Sequence, residues 1–230
     1  RLAIGGSEND ELFENYSFNN DPNVATNGAE EYYGDKSMNM RLTLLWEPSD
    51  DFRARLKYNY SEFDNNGGGT AYVEEVCPEG AHQPTLAVGL TFQGVDDCEI
   101  NGNTSKIGLN PALRAGLPGG YDDGQSGLEQ ETDFISLQMD WDVNENYTLT
   151  AVTGYVDLSH WELDDYSYGA GVFGGLHNNL YDSLSQEVRL ASQYGGALNF
   201  QAGLFWQEIE QEFDAYQFAA NIGLLAPDPI

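Results

Sequence analysis

The sequence predicts an all-β chain of antiparallel up-and-down hairpins, the wall of a transmembrane β-barrel, with about seven to eight strands of a larger barrel. Three observations predict it. Apolar and polar residues alternate with period two over stretches of about ten residues, the pattern of a strand with one apolar and one polar face. These stretches come in pairs joined by very short polar turns. The pairs are separated by long connections rich in Gly, Asn, Asp and Tyr, at about 19–37, 64–132 and 164–182. Loops longer than about 12–15 residues are unusual in compact domains, whereas strict alternation of tight turns with long loops is what a membrane barrel shows.

The first hairpin runs over 38–63. Met38, Met40, Leu42, Leu44 and Trp46 fall on one face, and Asn39, Arg41 and Thr43 on the other. A turn at 47–51 containing Pro48 and two Asp residues follows, and then Phe52, Ala54, Leu56, Tyr58 and Tyr60 alternate with Arg53, Arg55, Lys57, Asn59 and Ser61. The second hairpin runs over about 133–161. Ile135, Leu137, Met139, Trp141 and Val143 alternate with Ser136, Gln138, Asp140 and Asp142, and the turn is Asn144-Glu145-Asn146. Its return strand has apolar residues on both faces, Leu149 and Tyr155 on one and Val152, Val156 and Leu158 on the other, so the pattern leaves its faces open. The third hairpin, 184–213, places Val188 and Leu190 opposite Glu187 and Arg189, turns near Gly195-Gly196, and returns through Leu198, Phe200, Ala202, Leu204 and Trp206. Residues 1–18 read as one more, less regular strand.

Composition narrows the function classes. A formal net charge of −29 leaves no basic stripe for a phosphate backbone, so no nucleic-acid partner is expected. Mean hydropathy is −0.48, and no run approaches the roughly 18 apolar residues of a spanning helix. A barrel strand hides its apolar face among polar neighbours, so this does not argue against a membrane. The two cysteines, Cys77 and Cys98, lie in one Gly- and Pro-rich segment and read as a disulfide, with a metal site the lesser reading because only His82 lies nearby. Trp46, Phe52, Trp141 and Tyr147 flank the two short turns, where an aromatic girdle meets lipid headgroups.

Three stretches carry a resemblance. They are Arg-Leu-Thr-Leu-Leu-Trp-Glu-Pro-Ser-Asp-Asp-Phe at 41–52 with the strand to Tyr60, Asp-Trp-Asp-Val-Asn-Glu-Asn-Tyr-Thr-Leu-Thr-Ala-Val-Thr-Gly-Tyr at 140–155, and Ser-Gln-Glu-Val-Arg-Leu-Ala-Ser at 185–192 followed by Leu-Asn-Phe-Gln-Ala-Gly-Leu-Phe at 198–205. In this order they resemble the barrel of a TonB-dependent outer-membrane transporter of the proteobacterial type. The resemblance implies a 22-stranded barrel around an N-terminal plug, an outer-membrane location, and a TonB–ExbB–ExbD partner complex. It also implies active uptake of a small-molecule or metal-chelate substrate, an iron–siderophore by family default. No plug, TonB box or terminal aromatic strand is visible, so the expectation is a piece of such a wall, an open sheet with two unpaired edges.

Within that reading Arg53, Arg55 and Lys57 face the lumen, since a lipid-facing position at mid-depth is costly. There they either pair with plug acids or with Asp140 and Asp142, the structural reading, or form part of a path for an anionic solute. Trp161, Tyr166, Tyr168, Phe173 and Tyr181 are candidate ligand-facing loop aromatics, because aromatic faces stack on sugars and chelates. No enzyme is expected, and no catalytic residue, cofactor or metal site is assigned. His82, His160 and His177 are dispersed and without a partner at a recognised spacing. The Asp pairs at 96–97, 122–123 and 164–165 match no EF-hand loop and read as solvated acidic loops. The rival architectures are a small closed eight-stranded barrel and a secreted β-sandwich binding module.

Overall fold

In the computed structural model, the described residues are 1–15, 31–67, 98–104, 117, 126–166 and 173–219. Seven long strands form one antiparallel sheet: β1 (Leu2–Asn9), β4 (Asp35–Ser49), β5 (Phe52–Asn66), β7 (Gly127–Asn144), β8 (Tyr147–Asp165), β9 (Phe173–Ser192) and β10 (Gln201–Ala219). Three short strands, β2 (Phe13–Asn15), β3 (Glu31–Tyr32) and β6 (Asn103–Thr104), make a second sheet in the order β3-β2-β6. Within the segment read as one strand, the described residues 1–15 form two strands in different sheets, broken around Asp10 and Glu11.

Every long strand pairs with its neighbour in chain order, the up-and-down arrangement that hairpins dictate. Among the described residues β1 and β10 each have one long neighbour, so the sheet is open with two edges, as the sequence predicts. This removes the small closed barrel. A β-sandwich needs a second sheet over the apolar face, and the three-stranded sheet is far too small for that role.

The register shows why the strands form where they do. One row across the sheet reads Leu2, Leu42, Tyr58, Ile135, Tyr155, Leu184 and Glu208, and paired residues share a face. The return strand whose faces the pattern leaves open is thereby settled. Leu149, Ala151 and Tyr155 lie in rows with Trp141, Met139 and Ile135, while Val152 shares the opposite face with Gln138 and Glu187.

The strands are longer than the alternating pattern predicts. β4 begins at Asp35, β7 at Gly127 and β9 at Phe173, so all of 173–182, read as loop, is wall. Polar and glycine-rich strand ends such as Gly174 and Gly175 carry no period-two signal. Their pairing comes from the partner strand, through Asp165↔Gly174 and Asp164↔Gly175. Here the long sheet has its buried apolar side chains, Leu163, Leu176 and Phe218, with Trp161 and Leu117 packed against them.

Candidate functional site: a two-faced wall

Two faces with opposite chemistry make the site. Consider the nine-residue segments nearest the turns: 38–46, 52–60, 135–143, 147–155, 184–192 and 198–206. Each presents five residues on the first face, for example Phe52, Ala54, Leu56, Tyr58 and Tyr60. All of these are apolar or aromatic except Thr153, Gln186 and Ser192. Every charge in these segments lies on the second face: Arg41, Arg53, Arg55, Lys57, Asp140, Asp142, Glu187 and Arg189. The first face is open to its surroundings, with Leu204 82% and Trp46 62% exposed. An exposed apolar sheet face of this size, opposite a charged face, suits the hydrocarbon side of a barrel wall.

The polar exceptions obey the same rule. Thr153 and Gln186 are direct cross-strand partners, and the Thr153 hydroxyl donates to Gln186 Oε1 at 2.6 Å. The Gln186 amide donates to the Val152 carbonyl at 3.2 Å, so the pair satisfies itself without water, as a lipid-facing group must. Replacing Thr153 by Val leaves Gln186 short of a donor and is expected to lower stability by about 1–2 kcal/mol. Replacing both, Thr153→Val with Gln186→Leu, is expected to restore it, as read by denaturant unfolding in lipid vesicles.

The apolar band also reports how the strands lie. Moving outward from the turns, the first charged residue on this face is Lys36 on β4, Glu62 on β5, Asp133 on β7, Asp157 on β8, Asp182 on β9 and Glu208 on β10. Glu208 is in register with Leu42, six residues along β4 from Lys36, so the boundary drifts six residues over five strand steps. That is about 20 Å along the strands against about 24 Å across them, a tilt of about 40°, inside the range for barrels closed in a membrane. At that tilt nine residues rise about 21 Å, close to the height of a lipid-facing band.

Aromatic side chains mark both edges of the band. At the turn edge Trp46 and Phe52 meet edge to face at 5.7 Å, and Tyr147 meets Tyr194 at 5.5 Å and Phe200 at 6.3 Å. Trp46, Phe52, Trp141 and Tyr147 thus all stand on the apolar face, joined by Tyr194 and Phe200, which the turn-flanking criterion misses. The hydrogen bond between the Tyr147 and Tyr194 hydroxyls raises the pKa of the Tyr194 phenol. At the far edge, Tyr58 donates to Asp133 at 2.5 Å, Tyr155 to Asp157 at 3.2 Å, and Tyr60 to Glu62 at 3.1 Å. These tyrosines have apolar rings toward the band and hydroxyls on the first row of carboxylates. Beyond them the exposed Lys36 ammonium holds Glu8 at 3.0 Å, which raises its pKa.

The second face is concave. A hollow of about 390 Å³ is lined by Arg1, Arg41 and Lys57 with Thr43, Asn59 and Phe134, and a second, of about 530 Å³, lies at the turn between Glu47, Arg53, Asp140 and Asp142. The basic residues divide into two groups here. Arg53 pairs with Glu47 at 2.6 Å, Arg189 with Glu187 at 3.3 Å, and Arg41 donates to Asn59 Oδ1 at 2.8 Å. Asp140 and Asp142 are taken by Thr150 at 2.8 Å and Thr148 at 2.6 Å, rather than by the arginines. Arg55 and Lys57 face Gln138 and Ser136 and make no ion pair among the described residues.

The aromatics read as ligand-facing loops are placed differently from one another. Trp161 is on strand β8, on the same face as the lipid band, and packs against the Leu163 cluster. Tyr181 is on β9 and faces the concave side. Tyr166 and Phe173 meet at 5.7 Å where β8 and β9 end. Tyr168 lies outside the described residues, as do Cys77 and His82; no cysteine among the described residues is free. His160 and His177, dispersed in sequence, are brought together beside Glu162 on the concave face.

No protein-family description matches the chain, and no curated protein sequence matches it either. Among solved structures it is similar to the ferric yersiniabactin uptake receptor FyuA from Yersinia pestis, with a TM-score of 0.57 over 95% of this chain at 11% identity. The chain spans 27% of the length of that receptor. At that identity the likeness is one of fold alone: an antiparallel up-and-down sheet that matches part of that receptor.

Proposed function

We propose that these seven strands form part of the wall of an outer-membrane transporter that takes up a scarce solute with energy delivered by TonB–ExbB–ExbD. An iron–siderophore complex is the leading substrate. The observation that carries the reading is the segregation of all eight band-level charges onto the concave face, opposite a lipid-facing band of membrane height. The shared fold with a ferric-siderophore uptake receptor supports the substrate class. Arg55 and Lys57, unpaired on the concave face, suit a path for an anionic chelate. A Cys77–Cys98 disulfide fits the oxidising compartment into which such loops project.

Cells carrying and lacking the gene test the proposal. The protein is expected in the detergent-extracted outer-membrane fraction. Uptake of radioactive ferric siderophore is expected to require the gene and to stop on addition of a protonophore. Recovery without detergent, or uptake indifferent to the gene across hydroxamate, catecholate and phenolate chelates, overturns it.

A further inference from the structure

The concave wall carries one patch whose charge runs against that of the chain. Over the adjacent strands β4, β5 and β7, the concave rows through Asn39, Arg41, Thr43 and Leu45 hold no carboxylate. They hold Arg41, Arg55 and Lys57, three of the nine basic residues in a chain of net charge −29. Arg1 lies beside them, its carbonyl accepting from the Thr43 amide at 2.8 Å. Arg41 is the direct partner of Asn59, and Lys57 stands two residues along β5 on the same face, so the two cations are diagonal neighbours. Long side chains still meet across that diagonal, about 7–8 Å, and like charges there repel.

Elsewhere on this face the cations have acids beside them, Glu47 for Arg53 and Glu187 for Arg189. Arg41 and Lys57 form no ion pair among the described residues. Arg41 is aimed all the same: its Nε donates to Asn59 Oδ1 at 2.8 Å, which uses one of its five donors. Both cations line the hollow of about 390 Å³, a size within the range of small-molecule sites. Phe134, 37% exposed, supplies an aromatic surface to the same hollow. Nearer the turn the concave positions of β7 are all polar, Ser136, Gln138, Asp140 and Asp142, so the aromatic residue enters this face where the cations stand. A lone exposed phenylalanine needs no function. One that shares a hollow with two unpaired cations offers an apolar contact to whatever anion they hold.

We infer that this hollow binds an organic anion bearing an aromatic ring, an aryl carboxylate, with Arg41 and Lys57 on the carboxylate and Phe134 against the ring. An inorganic anion would engage the cations and leave Phe134 wet. A neutral sugar would engage the ring and leave two like charges without a counter-ion. An aryl carboxylate uses both: the guanidinium fork and the ammonium give charge-assisted hydrogen bonds, and the ring meets Phe134 edge to face or offset. The inference rests on the transporter reading in one respect, that the concave side is the water-filled one and open to solutes.

The experiment is calorimetric titration of the purified full chain in detergent with naphthoate, against protein-free micelles as the blank. Saturation at one naphthoate per chain is expected. Arg41→Gln and Lys57→Gln are each expected to weaken binding at least tenfold, and Phe134→Leu about fivefold. Naphthamide, which keeps the ring without the charge, and acetate, which keeps the charge without the ring, are each expected to bind at least tenfold more weakly than naphthoate. Arg189→Gln removes a cation outside the hollow and is expected to leave binding unchanged. No saturable binding to the wild-type protein, whose fold is checked by circular dichroism, overturns the site. Undiminished binding in the Arg41→Gln/Lys57→Gln double variant overturns it too, as does equal affinity for naphthoate and either control ligand, or an equal loss in Arg189→Gln. Binding is read without transport, so its failure leaves the uptake proposal standing, and the reverse.

Discussion

Leu137→Arg is expected to cost about 2–4 kcal/mol of stability in a bilayer, whereas Gln138→Arg, one residue away, is expected to cost almost nothing. Leu137 lies in the row of Leu44, Leu56 and Trp206, inside the apolar band. An arginine there brings a guanidinium into hydrocarbon with no carboxylate on its face within the band. Gln138 points the other way, between Arg55 and Val152, on a face that already holds eight charges. The contrast comes from the pleat, because successive residues of a strand face opposite solvents. Folded fractions from heat-shifted gel mobility, or denaturant titrations in vesicles, read both variants directly. Equal costs at the two positions contradict the assigned faces.

Combined replacement of Arg55 and Lys57 by Ala is expected to leave the unfolding midpoint unchanged and to reduce uptake of an anionic solute about tenfold or more. The physical reason is that neither residue is committed to a partner. Arg53 is held by Glu47 and Arg189 by Glu187, and the acids opposite are occupied by threonines. A cation without a structural partner on a concave wall is available to a passing anion, and its field is focused by the hollow around it. Arg53→Ala is the matched control: it removes the ion pair to Glu47 at the turn and is expected to act on stability before uptake. A lowered midpoint in the Arg55→Ala/Lys57→Ala variant, with uptake per folded molecule unchanged, assigns these residues a structural role.

Much of this was legible in the sequence where burial in lipid on one side and water on the other imposed alternation. Met38 to Trp46 and Phe52 to Tyr60 read cleanly because every second residue met hydrocarbon. Beyond the band both faces are wet, so Phe173 to Tyr181 has no period to read, and a strand passed for a loop. The same blindness concealed the meeting of His160 and His177 at Glu162. His160 and Glu162 show the spacing of a shared face, but the position of His177 opposite them depends on pairing that no local pattern states. Arg53, Arg55 and Lys57 were legible as one cluster by face; their division into a paired and two unpaired cations follows from rotamers and turn geometry.

The extension of β8 and β9 beyond the band has a consequence for where a solute first meets the protein. About ten further residues on β8, from Val156 to Asp165, raise the rim by about 25 Å at a 40° tilt. Here the sheet therefore continues well beyond the apolar band. What stands there is paired backbone, β8 against β9 as far as Asp165↔Gly174.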